Sequence, residues 1–248
     1  MNKKTLVAHR GDNYHFPENT NRSIQAALRA GVLLVEFDIQ MNADHELLVI
    51  HDSDFKRTAN LALSVFESKT SQLADISVHE PERFGDQFYP TPVYTLEHML
   101  ELLSQFPSAT AFVEIKQESL DYFGLECVMR RLLNALHTHT SEVVIISFSY
   151  PALEYTQRHS NIKTGWVLQK YNENFHQKAQ KLNPHYLICN YQKLPKGPLW
   201  KGNWKWMAYT VNNSDLAKQL LDKGVDLIET DDTFLGAPSA RLKYLKTH

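Results

Sequence analysis

The chain has 248 residues, 43% hydrophobic and 22% charged, a composition that excludes a disordered chain and supplies a sizeable core. Its 26 Lys and Arg against 28 Asp and Glu leave a formal charge of −2, which excludes a general pull toward nucleic acid or an acidic membrane surface, so an anionic ligand must be attracted locally. No run approaches the roughly 20 apolar residues that span a bilayer.

In chain order, Leu6 to His9 reads as a first short strand. The apolar residues Leu6, Val7 and Ala8 are too few for the hydrophobic region of a secretion signal, so a cytoplasmic protein without stable membrane insertion is expected. Ser23 to Ala30 has helical spacing, with Thr20 placed to cap it and Gly31 to end it. Strands are predicted at Leu33 to Gln40 and Leu47 to His51. Residues 57 to 92 then form a connection far longer than an ordinary strand–helix loop.

Beyond it the rhythm is regular. Helices over Leu96 to Leu103, Leu125 to Leu136, Ala152 to Arg158 and Phe175 to Leu182 alternate with strands at Ala111 to Lys116, Val143 to Phe148, Thr164 to Leu168 and Tyr186 to Asn190. Residues 191 to 205, rich in Lys, Pro, Gly and Trp, stand where a helix is due. The strand Trp206 to Val211, a helix capped by Ser214 and stopped by Gly224, and the strand Val225 to Thr230 close the series. Alternating strands and helices of this kind build a parallel sheet, and α/β barrels often occupy this length as a single domain. The strands number about one more than a barrel needs. Cys127 and Cys189 fall among apolar residues of a helix and a strand, where buried reduced thiols are expected.

Chemistry enters with Leu33 to Gln40, in which Leu34, Glu36, Asp38 and Gln40 share one face. A half-exposed antiparallel strand would also look like this. The strand Ala111 to Lys116 repeats the gradient, however, with Phe112, Glu114 and Lys116 on one face. In a parallel barrel that gradient puts apolar residues low and charges at the C-terminal strand ends, where barrel active sites lie. Two ionised carboxylates at ~4 Å repel by about 4 kcal/mol at an effective dielectric near 20. If Glu36, Asp38 and Glu114 converge, a shared proton or, more simply, a hard divalent cation would relieve that repulsion. His9 and His51 each end an apolar strand and point to the same rim. A phosphodiester meets these groups well, with Arg10, Lys116 and a metal for its charge and a histidine pair for its protons.

The chain carries, in order, His9-Arg10-Gly11, Pro17-Glu18-Asn19-Thr20, Glu36-Phe37-Asp38, His51-Asp52 with Arg57-Thr58, Val113-Glu114-Ile115-Lys116, Tyr209-Thr210-Val211-Asn212, and Gly224-Val225-Asp226 with Thr230-Asp231. The first triplet alone is weak, but the ordered series resembles the glycerophosphodiester phosphodiesterase family in its cytoplasmic bacterial type. The resemblance implies a (βα)8 TIM barrel spanning residues 1 to 248 and one divalent cation, Mg²⁺ or Ca²⁺ with Mn²⁺ also admitted, on Glu36, Asp38 and Glu114. It makes His9 and His51 the general acid and base, in either order, and puts Arg10 and Lys116 on the phosphate, with Glu18, Asp52 and Tyr209 supporting the site. It also implies that residues 57 to 92 are an insertion partly covering the site, and that Leu47 to His51 continues the second strand region.

The implied substrate is a small glycerophosphodiester, cleaved to glycerol 3-phosphate and an alcohol such as choline or ethanolamine, by direct water attack or through a cyclic phosphate. Tyr209 stands where the family usually has Trp, and His45 where a Gly usually follows the turn Asp44. Two other functional readings compete, beside a polar-faced structural domain that binds no metal. A lysophospholipase D-like or cyclic-phosphate-forming diesterase of the same fold has no evident membrane-binding helix to support it, and no exposed aromatic cluster apart from Trp200, Trp204 and Trp206. A non-catalytic phosphate-binding barrel would not need both histidines.

Overall fold

The β-branched, largely apolar runs are buried on both sides, as strands of a parallel sheet covered by helices must be. The computed structural model describes residues 1–236. Its strands are β1 (Leu6–Ala8), β2 (Leu34–Met41), β3 (Leu47–Val49), β4 (Thr110–Ile115), β5 (Glu142–Ser147), β6 (Lys163–Leu168), β7 (Tyr186–Asn190), β8 (Lys205–Tyr209) and β9 (Leu227–Thr230). The order β2-β4-β5-β6-β7-β8-β9-β1 runs parallel throughout, and pairing of β1 with β2 closes the ring. This is the expected (βα)8 barrel. The surplus strand is β3, which turns back antiparallel on the far end of β2 with Ile39 opposite Val49.

Helices α1 (Asn21–Arg29), α2 (Lys56–Ala59), α3 (Pro81–Phe84), α4 (Leu96–Ser104), α5 (Gln117–Phe123), α6 (Leu125–His137), α7 (Tyr150–His159), α8 (Glu173–Leu182) and α9 (Ser214–Asp222) complete the described chain. The large apolar core lies between barrel and helices, while Val7, Phe112, Val144, Ile146, Val167, Ile188, Met207 and Leu227 fill the barrel itself. At Gly165 a Cβ would sit 2.9 Å from Ile146 and 3.1 Å from Ile188, so the missing side chain lets both isoleucines meet inside the barrel.

Residues between β3 and α4 gather their own apolar cluster, Ile50, Phe55, Val65, Leu73, Ile76, Val78 and Val93 with Leu48. Phe88 of this segment packs on Phe16 at 5.8 Å between ring centroids, which docks it against the loop after β1.

Several local expectations change. Thr20 does cap α1, in a reciprocal box with Ser23, but α9 is capped by Asn213, whose side chain accepts from the backbone N–H of Asp215 and Leu216. Ser214 is already helical. Helix α5 was not expected, because it follows β4 without a side-chain cap. Residues 191 to 205 replace a helix with a short turn at Tyr191–Lys193 and an aromatic stack, with Trp200 3.9 Å from Tyr171 and 4.7 Å from His176. Trp204 and Trp206, expected as exposed aromatics, are buried in the core. Cys189 is buried, whereas Cys127 is only half-buried, and both are unpaired. His45 adopts φ +62°, the left-handed region that explains a glycine preference there.

Candidate active site

The loop after β1 begins the site. Gly11 has φ +81°, and a Cβ there would lie 2.4 Å from the backbone carbon of Ser23, so only glycine fits this turn against α1. The turn is fastened by the Ser23 hydroxyl donating to Arg10 O at 2.8 Å and by Asp12 N–H donating to Ser23 O at 2.9 Å. Arg10 itself stands at φ +54° and Asn19 at +56°, a backbone cost of order 1 kcal/mol each for non-glycine residues. Both are held there by site contacts. Arg10 N–H donates to Glu36 Oε2 at 3.0 Å, and Asn19 donates to Asp38 Oδ2 at 3.0 Å while accepting from Asp38 N–H at 3.1 Å.

Register assembles the acids. Asp38 on β2 is the direct neighbour of Glu114 on β4, and Glu36 lies two residues below Asp38 on the same face. One oxygen of each of the three lies within 4.8 Å of the others. Lys116 Nζ reaches Glu114 at 2.9 Å and Asp38 at 3.3 Å, and Arg10 Nε lies 3.0 Å from Asp38. That last N–H is poorly aligned, so the contact is an ion pair without a hydrogen bond. Burial would raise Asp38, but Arg10 and Lys116 outweigh it and hold its carboxyl far below the usual range. Burial and the neighbouring acids push Glu36 well up, and burial raises Glu114 less because Lys116 opposes it.

These residues fit a hard cation. Glu36 Oε1 is buried with no hydrogen-bond partner, and an all-oxygen trio with an unshared oxygen suits a divalent ion. The cluster of Asp12, His15 and Asp232 is a weaker candidate, since Asp12 already accepts from His15 Nδ1 at 2.9 Å and from the Thr233 hydroxyl at 3.0 Å.

Each histidine is backed by a carboxylate. His9 Nδ1 donates to Asp231 Oδ1 and His51 Nδ1 to Asp52 Oδ1, both at 2.7 Å. A carboxylate only accepts, so each ring carries its proton on Nδ1 and keeps Nε2 for other work. Asp231 is oriented by Asn13 at 2.8 Å and Asn212 at 2.5 Å. Arg57 joins two halves of the site: it donates to Asp52 at 2.7 Å and to both oxygens of Glu18 at 2.9 and 2.6 Å, and Glu18 also receives Arg10 Nη1 at 2.9 Å. Burial would raise Glu18, but the two arginines hold it low.

A cavity of about 150 Å³ opens over this constellation. His9, Arg10, His51, Glu114, Lys116 and Glu229 form its polar side, and Ile146, Phe148, Val167, Ile188 and Tyr209 its apolar side. Glu36 and Asp38 adjoin it through Glu114, each with an oxygen within 4.8 Å of that residue. Burial raises the Tyr209 hydroxyl, so it stays protonated. Every residue singled out from the sequence thus falls in one place. Glu229, Asp231 and Arg57 received no role from the sequence. Glu229 carries the same signal as Glu36, an acid sharing a strand face with an apolar residue, here Leu227. Asp231 and Arg57 stood inside matched motifs, and their partnerships follow only from the fold.

The model of the glycerophosphoryl diester phosphodiesterase family matches residues 9–234. A glycerophosphodiester phosphodiesterase of Caldanaerobacter subterraneus is 28% identical over 238 residues, covering 93% of this chain and 95% of the relative. A second, from Bacillus subtilis, is 28% identical and covers 91% of this chain and 82% of its own length. In fold, the chain is similar to an Oleispira antarctica phosphodiesterase solved with the product sn-glycerol-3-phosphate, at TM-score 0.82 and 22% identity over 96% of each chain. It is likewise similar to a Thermotoga maritima glycerophosphodiester phosphodiesterase, at TM-score 0.74 and 21% identity over 95% of this chain and 97% of the other.

Proposed function

Since the chain belongs to the glycerophosphoryl diester phosphodiesterase family, an enzyme family on this barrel, we propose that it hydrolyses small glycerophosphodiesters to glycerol 3-phosphate and an alcohol, with histidine acid–base catalysis and a divalent cation. The observation that carries this reading is one cavity lined by two carboxylate-backed histidines and by Glu114, which forms an acid trio with the buried Glu36 and Asp38. Glu36, Asp38 and Glu114 would hold Mg²⁺, Ca²⁺ or Mn²⁺, which when bound supplies Lewis acidity toward a phosphoryl oxygen.

The chain's own residues do the rest. Arg10 spends Nη1 on Glu18 and keeps Nη2 for a phosphoryl oxygen, and Lys116 adds a second positive charge at the cavity wall. Nε2 of one histidine takes the proton of the attacking hydroxyl, and Nε2 of the other gives a proton to the departing alkoxide. Asp52 and Asp231 fix the tautomers that make this possible. Glu18 and Arg57 hold Arg10 and Asp52 in place, and Tyr209 forms part of the wall against which the organic groups lie. We read residues 57–92 as an insertion on a single domain; Arg57 on Glu18, and Glu80 accepting from Glu18 N–H at 2.8 Å, support a role at the site.

The lysophospholipid alternative loses two of the three tryptophans that spoke for it, because Trp204 and Trp206 are buried. No helix of the described residues is long and apolar enough to cross a membrane, and together with two unpaired cysteines this supports a cytoplasmic enzyme.

The test is release of glycerol 3-phosphate from glycerophosphocholine by chelator-treated protein, with Mg²⁺, Ca²⁺, Mn²⁺ or no metal restored. Metal-dependent release is expected, reduced roughly 10²- to 10⁴-fold in His51→Ala. No release with any metal, from protein shown to be folded, would remove the assignment.

A further inference from the structure

Glu229 is the one acid of the cavity wall that the reaction above leaves unused. It stands on β9 beside Val7 of β1, points into the barrel and is 4% exposed. One of its oxygens lies within 4.8 Å of His9 and of Glu36. Its neighbours are matched: Asp38 by Arg10, Lys116 and Asn19, Glu114 by Lys116, Asp52 by His51 and Arg57, and Asp231 by His9 and two asparagines. Among the described residues nothing donates a hydrogen bond to the Glu229 carboxylate; its backbone belongs to the sheet, with its carbonyl also accepting from Val211 N–H at 2.8 Å.

The Glu229 carboxylate lines the cavity and takes no donor from the chain, so the donors it can take come from what enters the cavity. Phosphate brings none. The glycerol half of the proposed substrate brings two hydroxyls, and on the apolar wall of Ile146, Phe148, Val167, Ile188 and Tyr209 only the neutral Tyr209 hydroxyl could accept from them. We propose that Glu229 accepts hydrogen bonds from the glycerol hydroxyls and is a specificity-determining residue for the polyol side of the substrate. This rests on the phosphodiesterase reading.

The experiment compares binding of glycerol 3-phosphate and propyl phosphate, which share charge and carbon count but differ in the hydroxyls, to the Ca²⁺-loaded protein by calorimetry. Both ligands meet the same charge on Glu229, so their ratio isolates the hydroxyl contacts. The wild type is expected to favour glycerol 3-phosphate roughly tenfold or more. Glu229→Ile should bind the two alike, with propyl phosphate held no more weakly than by the wild type and with Mn²⁺ still bound, as measured by electron paramagnetic resonance. Glu229→Gln, nearly isosteric, repeats the comparison should the isoleucine variant not fold, and should lose most of the preference.

A variant that keeps the preference overturns the proposal, as does one that loses Mn²⁺ affinity together with both ligands, which would make Glu229 a metal ligand. A wild type that binds both esters equally also overturns it and leaves the phosphodiesterase reading standing. A wild type that binds neither ester sinks both.

Discussion

At the residue scale, the bond between His9 and Asp231 sets a pH dependence. Burial opposes a charge on His9, but Asp231 and the nearby Glu229 outweigh it, so its pKa stands above the ordinary 6.5. Burial would raise Asp231, but His9, Asn212 and Asn13 pull it down to about 2. The pair therefore contributes in full below about pH 6.5 and loses that contribution as pH rises through the raised histidine value; on the acid side the loss comes as pH falls from about 4 through 2. Asp231→Asn should cost about 1 kcal/mol, or roughly 2–4 °C in Tm, between pH 4 and 6.5, with a smaller difference on either side. A Tm difference that stays flat from pH 3 to 9 would refute a charged pair. The placement of His9 and His51 at strand ends was legible in the sequence, because period-two burial and a terminal polar residue are local patterns. The identity of Asp231 as the partner of His9 was not, since 222 positions separate them.

At the element scale, two adjacent residues compete to cap α9. Asparagine and serine cap almost equally well, so composition does not choose between Asn213 and Ser214. The backbone chooses. Asn213 is extended at φ −121°, ψ 123° and its side chain takes two N–H groups, whereas Ser214 is inside the first turn. Asn213→Ala should cost about 1 kcal/mol in urea denaturation and Ser214→Ala less than about 0.5 kcal/mol; the reverse order would move the cap to Ser214. Helix α5 makes the same point. Its Ser119 hydroxyl donates to Gln40 at 2.5 Å and accepts from Met41 N–H at 2.9 Å, so contacts with β2 define it more than its own few apolar residues do.

At the scale of the whole molecule, closing the barrel forces three acids into one place, and a divalent cation bound there would relieve their repulsion. Stability should therefore respond to metal. At a free ion concentration of about 100 times Kd the gain is ~2.7 kcal/mol, or roughly 5–10 °C in Tm for a chain of this size. Glu36→Gln removes the carboxylate whose Oε1 is unpartnered, so the metal-free variant should melt no lower than the metal-free wild type while most of the metal-induced rise disappears. Equal rises in both proteins would dismiss Glu36 as a ligand. Arg57 works at this scale too, since it ties the segment between β3 and α4 to Glu18 and Asp52.

By itself the sequence determined the alternation of strand and helix and the shared faces of Glu36 with Asp38 and of Glu114 with Lys116, while the ordered motifs implied the barrel and the site on which His9, Glu36, Asp38, His51 and Glu114 meet. The first two follow from periodic patterns that each segment carries locally, and the last from a resemblance carried by short motifs. Tertiary structure alone decided which charges pair across the ring, which of two capping residues begins α9, that Trp204 and Trp206 are buried, and that Glu229 faces the cavity without a donor. These depend on distances between segments remote in the chain, and no local pattern encodes a distance that only closure of the barrel creates.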